Sequence, residues 1–192
     1  MKAYADLPEE YREVFQINLQ KDPKTASKVN IGAGIVMIVM ILLGNFFIPI
    51  SELYEAGSFW DTMIRLGILL LAYLVYIVLH ELTHAAVMKA CGGRKVIFGF
   101  TGLYAFAGSR VDYFDKTAYR CIALAPLIVW GIVFGILTFS LPRSWFWVVW
   151  FLQAGNIGGS AGDLYVTARL WKMPPSILIR DTGVDVTVYD RA

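Results

Sequence analysis

The stretch that most constrains this chain runs from Thr62 to Ala90. Between Met63 and Met88 its only basic, acidic or imidazole side chains are Arg65, His80, Glu81 and His84. A segment so apolar partitions into lipid, where no water is present to bond the backbone, so it must satisfy its own N–H and C=O groups as an α-helix. At 1.5 Å per residue it is about 43 Å long, against a hydrocarbon layer of roughly 30 Å, so it tilts or protrudes.

Three further runs read the same way, and hydrophobic residues make up 57% of the chain. The spans are expected at about 29–48, 62–90, 117–139 and 145–171. The fold class is therefore an all-α polytopic membrane protein. Its four transmembrane helices carry a small cytoplasmic β-hairpin between the second and third, and a short β-like C-terminal tail. Residues 1–28 form a cytoplasmic arm, 29–172 the membrane domain and 173–192 the tail. Within the arm, Pro8 to Leu19 reads as an amphipathic helix: Pro8 suits a first turn, and Leu7, Tyr11, Val14 and Phe15 make an apolar stripe. Pro126 is expected to bend or unwind the third span, and Asp115 to cap it.

The hairpin is expected within 92–116. Its RKVIFGF and LYAFAGS runs are aromatic and β-branched and are separated by Thr101 and Gly102. A second small hairpin is expected around Asp181-Thr182-Gly183. Basic residues set the orientation. They fall in the arm, between Lys89 and Arg120, and after Arg169, whereas the two opposite loops together hold only Arg143. Both termini are thus expected in the cytoplasm, in a multi-pass cell-membrane protein. A net charge of +2, with basic residues in blocks, excludes nucleic acid as an expected partner. Cys91 and Cys121 lack metal-ligand spacing and read as reduced thiols.

Inside the second span, His80, Glu81 and His84 spell H-E-x-x-H. Residues four apart share a helix face, so both imidazoles can reach one metal ion, and Glu81 can take the proton of an attacking water. They are the only two histidines of the chain. A packing contact between two histidines is the plainer reading, but it leaves Glu81 without a partner at depth. The fourth span offers a candidate third ligand, Asp163, whose plainer reading is a cap or a snorkelling partner for Arg169. Asn156, Ser160, Asp163 and Thr167 recur at helical spacing, beside Gly155, Gly158, Gly159 and Gly162. His84 lies about 7.5 Å along its helix from Lys89, and Asp163 about 9 Å from Arg169, so the depths match. A dication with two neutral imidazoles, Asp163 and Glu81 is formally neutral.

HELTH, the ALAPLI stretch around Pro126, and GDLYVTARLWKMPPSILIRDTG resemble the bacterial membrane-bound family named putative zincin peptidases, which is distantly similar to the site-2 proteases. The resemblance implies zinc held by His80, His84 and Asp163, with Glu81 as catalytic base. It also matches Asn156 to the asparagine of the second site-2 motif, although glycines replace its prolines and Leu164 its final glycine. Asn156, and then Ser160, are expected to donate a hydrogen bond to the oxyanion. The implied activity is an intramembrane zinc metalloendopeptidase acting on membrane-anchored polypeptides near the cytoplasmic face, with the lipid bilayer as its other partner. The hairpin is expected either to bind substrate as an added strand, through Val96, Phe98, Phe100, Leu103 and Tyr104, or to cover the site as a flap. A non-catalytic zinc-binding sensor, transporter or protease-accessory subunit is the alternative. Neither substrate identity nor oligomeric state follows from the sequence.

Overall fold

Asp22 and Pro23 open the first long helix of the computed structural model, which describes residues 1–55, 57–102 and 104–191. The Asp22 carboxylate accepts the Thr25 N–H at 3.1 Å, and Pro23, which has no N–H to leave unpaired, takes the first turn. This helix, α1 (Pro23–Phe47), therefore starts six residues before the apolar run. A single turn, α2 (Glu52–Glu55), leads to α3 (Phe59–Ala90), which starts from a reciprocal capping box between Ser58 and Asp61. Asp115 caps α4 (Lys116–Ser140), as expected, by accepting the Ala118 N–H at 2.7 Å. Of the bend or unwinding expected at Pro126, unwinding does not occur: α4 stays helical to Ser140.

Among the described residues, α1, α3 and α4 are the helices long and apolar enough to cross a membrane. The expected fourth span is instead two shorter helices, α5 (Phe146–Gly159) and α6 (Ala161–Trp171), joined at Ser160. Gly158 and Gly159 supply the weak helix propensity at the break, and the Ser160 hydroxyl donates to the Asn156 carbonyl at 2.9 Å. Packing between helices relies on glycine where aromatic rings intrude. A Cβ on Gly44 would strike Trp147 and Trp150, and one on Gly155 would overlap the Tyr73 ring. The second contact lets α5 approach α3 closely.

Two sheets complete the chain. β3 (Ile97–Phe100) and β4 (Ala105–Gly108) form the expected hairpin, pairing Phe98 with Ala107 and Phe100 with Ala105. Gly102 makes its turn at φ +86°, a conformation that needs glycine. The other sheet has five antiparallel strands in the order β1 (Ala3–Tyr4), β5 (Tyr113–Asp115), β6 (Leu178–Asp181), β7 (Val186–Arg191), β2 (Tyr11–Ile17). Its β6–β7 pair is the expected tail hairpin. The amphipathic helix expected over Pro8–Leu19 is absent, because Tyr11–Ile17 is strand β2, whose backbone groups are taken by β7 far along the chain. A bulge between Glu13 and Phe15 explains the helix-like spacing. It puts Tyr11 with Tyr189 on one face of the sheet, and Phe15 and Ile17 with Val188 and Val186 on the other.

That second face buries Phe114, Ile177, Ile179 and Val188 against Met88, Ile122 and Leu170 at the ends of α3, α4 and α6. The sheet thereby clamps together the three helices that carry the candidate site.

Candidate metal centre

HELTH lies in the second half of α3, where the helical repeat stacks Tyr76, His80 and His84 on one face. Both imidazoles are buried, with ring centroids 4.9 Å apart. Each turns its Nε2 toward Asp163, the third residue of α6, and each Nε2 stands 3.5 Å from Asp163 Oδ2. The three candidate ligand atoms all lie within 4.8 Å of one another. A direct N–H···O hydrogen bond spans roughly 2.7–3.2 Å, so 3.5 Å is long for one. It suits the edge of a tetrahedron: bonds of about 2.0–2.1 Å from zinc to nitrogen and oxygen put neighbouring ligands roughly 3.3–3.4 Å apart. Asp163 also sits at the positive end of the α6 dipole, which favours a negative charge there.

The outer nitrogens of both rings are fixed by the protein. Tyr76 donates its hydroxyl to Asn156 Oδ1 at 2.8 Å, so the same oxygen must accept from His80 Nδ1, 3.0 Å away. Asn156 in turn donates Nδ2–H to the Leu127 carbonyl at 3.1 Å. On the second ring, His84 Nδ1 donates to the Ile122 carbonyl at 2.9 Å. With the proton on Nδ1 in each ring, both Nε2 atoms present lone pairs. Two imidazole lone pairs and a carboxylate oxygen then converge on one point, a donor set that fits a divalent cation.

Glu81 projects from the same turn into a cavity of about 770 Å³ that also contains His80, His84 and Asp163. The backbone N–H of Ala107 on β4 faces its carboxylate. The ladder explains this orientation. Thr101 N–H bonds the Tyr104 carbonyl at 3.0 Å, and alternation from that pair turns the N–H and C=O groups of Ala105 and Ala107 away from β3. Asp181 reaches the cavity from the tail. Burial pushes its carboxyl above the ordinary range, outweighing hydrogen bonds from the Gly183 N–H at 2.7 Å and the Tyr119 hydroxyl at 2.9 Å.

His80, Glu81, His84 and Asp163 thus line one cavity. Asn156 does not face the open side of the site: it is fully buried behind His80, with both ends of its amide engaged. Ser160 is likewise turned back into its own helix. Of the residues expected to hold substrate, Tyr104 lines the cavity, Val96 packs on the core beneath the sheet, and Phe98 and Phe100 are exposed. Leu103 lies outside the described residues. Reading the sequence missed Tyr76, although its place four residues before His80 was the available signal.

Residues 73–178 match the model of the family described as "Putative zincin peptidase". The chain belongs to this family. The matched region spans more than half of the sequence and includes both histidines, Glu81, Asn156 and Asp163. A zincin peptidase is a metallopeptidase, and zinc is the metal its name implies. No curated protein and no solved structure matches the chain.

Proposed function

We propose that this zincin family member is an intramembrane zinc metalloendopeptidase that cleaves membrane-anchored polypeptides near the cytoplasmic face. The observation that carries the proposal is the convergence of His80 and His84, on a helix apolar enough to cross a membrane, with Asp163 of α6, beside Glu81. Zinc held by these three residues would supply Lewis acidity toward a peptide carbonyl and an attacking water. Glu81 accepts the proton of that water and passes it to the leaving amine. Asn156 and Tyr76 hold His80 in the tautomer that exposes Nε2.

In this reading α5 and α6 together make a fourth crossing, and the basic ends of the helices put both termini in the cytoplasm. A transmembrane helix hides its peptide bonds, so the substrate reaches Glu81 in extended form. The outward groups of Ala105, with the Ala107 carbonyl, supply an edge on which such a segment adds as a strand. That edge is β4, on the site side of the hairpin, rather than β3. Lipid is the solvent of the helices, and nucleic acid has no place in this mechanism.

The test is Glu81→Gln, with zinc content and the peptides of the host membrane measured together. The variant keeps one zinc per chain and accumulates uncut substrate, with turnover lower by at least ~10²-fold. His80→Ala, His84→Ala and Asp163→Ala each lose zinc. A Glu81→Gln protein with full proteolytic activity refutes the enzyme assignment and leaves a zinc-binding scaffold.

A further inference from the structure

The His84 anchor has an unusual donor-acceptor history. Its acceptor, the Ile122 carbonyl, lies inside α4 rather than at a helix end. In an uninterrupted α-helix that carbonyl is taken by the N–H of the residue four positions on. Here that residue is Pro126, which has no N–H and is among the fully buried side chains of the protein. A proline inside a helix ordinarily leaves a carbonyl to be satisfied elsewhere, and lipid offers no donor. The structure answers both needs with one bond: Ile122 finds a donor in His84 Nδ1–H, and His84 finds an acceptor that no backbone group contests.

We propose that Pro126 is a positioning residue for the metal centre, keeping the Ile122 carbonyl reserved for His84 by carrying no N–H. The inference rests on the proposed zinc site. It assigns to α4, which offers no metal ligand itself, the control of one ligand's tautomer and ring direction. It also accounts for a buried proline in a helix that nevertheless stays regular on both sides. The companion anchor has a different design: His80 reaches α4 through Tyr76 and Asn156, ending on Leu127, one residue beyond Pro126.

The experiment compares three full-length proteins in detergent: the wild type, Pro126→Ala, and a protein with lactate at position 126. Lactate is the size of alanine but links through an ester oxygen, so it lacks the N–H as proline does. Zinc affinity is measured by chelator competition, ligand geometry by the visible spectrum of the cobalt-loaded protein, and fold by the Tm of the metal-free protein. Pro126→Ala restores a competing N–H and weakens zinc by 10- to 100-fold, the usual effect of disturbing an outer partner of a metal-bound histidine. Its cobalt spectrum shifts, while the metal-free Tm holds or rises because a helix breaker is gone. Lactate returns affinity and spectrum toward the wild type. Wild-type affinity in Pro126→Ala overturns the proposal, as does equal weakening by alanine and lactate, which would assign the effect to the ring and its packing. Failure of the zinc site itself is distinguishable, because the wild type would then bind no zinc or His84→Ala would keep it.

Discussion

Tyr76→Phe and Asn156→Ala, alone and together, separate two roles for Asn156. If Asn156 stabilises an oxyanion, its loss lowers turnover and spares the metal. The geometry assigns it a place behind His80 instead, in the chain from His80 Nδ1 through the Tyr76 hydroxyl to Asn156 Oδ1, with bonds of 3.0 and 2.8 Å. Removing the Tyr76 hydroxyl deletes the acceptor of His80 Nδ1–H and frees the ring to take the wrong tautomer. Loss of such a partner costs about 10- to 100-fold in metal affinity, or ~1.4–2.7 kcal/mol. Asn156→Ala should cost a similar amount, because the hydroxyl then loses the acceptor that fixes its direction. The two act on one ring, so the double variant is expected to be little weaker than the worse single one, with a coupling energy of ~1–2 kcal/mol. Zinc competition titrations on the four proteins measure the cycle. Additive losses would refute the chain, and unchanged zinc affinity in Asn156→Ala with lowered turnover would restore the oxyanion role.

Ala105→Pro removes an edge N–H that faces away from β3, so cleavage of co-purified membrane peptide should slow by at least ~10-fold with zinc content unchanged; unchanged cleavage would favour a flap. Asp112 accepts bonds from Arg94 N–H, Arg94 Nε and the Ser109 hydroxyl at 2.9, 3.0 and 2.7 Å, and Asp112→Ala should destabilise the protein by roughly 3 kcal/mol in denaturant titrations. Burial raises that carboxyl, but the Ser109 and Arg94 bonds outweigh it and hold it below its ordinary value. Its stabilisation is therefore fully present above about pH 4 and is lost as pH falls through the lowered value, a loss that Asp112→Ala should not show. A cysteine at Gly102 should react with an impermeant reagent only after the cell membrane is opened, and labelling in intact cells would reverse the proposed orientation.

What the sequence revealed depended on whether a residue's partner was local. The cap at Asp115, the turn at Gly102 and the His80–His84 pair are each set within a few residues, and all are readable from the sequence. β2 was misread because its decisive partner, β7, lies at the other end of the chain, and because the bulge after Glu13 spaces Tyr11, Val14 and Phe15 like a helix. The break at Ser160 is hidden from the sequence for a related reason. Hydropathy averages across Gly158 and Gly159, whereas helix continuity depends on them individually. Asn156 was identified as important from its stripe, but only its hydrogen bonds assign it to His80.

Asp163 is legible from its polar stripe and its depth as well as from the resemblance, and the structure shows why depth is informative. Tyr76 meets Asn156, and His80 with His84 meets Asp163, in the same order along both segments, so α3 and the α5–α6 pair run parallel. On α3 the step from Tyr76 to the midpoint of the histidines is about 9 Å; from Asn156 to Asp163 an unbroken helix would rise about 10.5 Å and turn to nearly the same face. A continuous fourth span would therefore come close to forming the site. The break at Ser160 adds what a continuous helix lacks, a new N-terminus three residues before the ligand. The positive end of the α6 dipole favours the Asp163 carboxylate, and the Ser160 hydroxyl bonds the Asn156 carbonyl, a group the interruption would otherwise leave weakly paired. The backbone dipole of α6 thus offsets part of the cost of the site's carboxylate, beside the two imidazoles that face it.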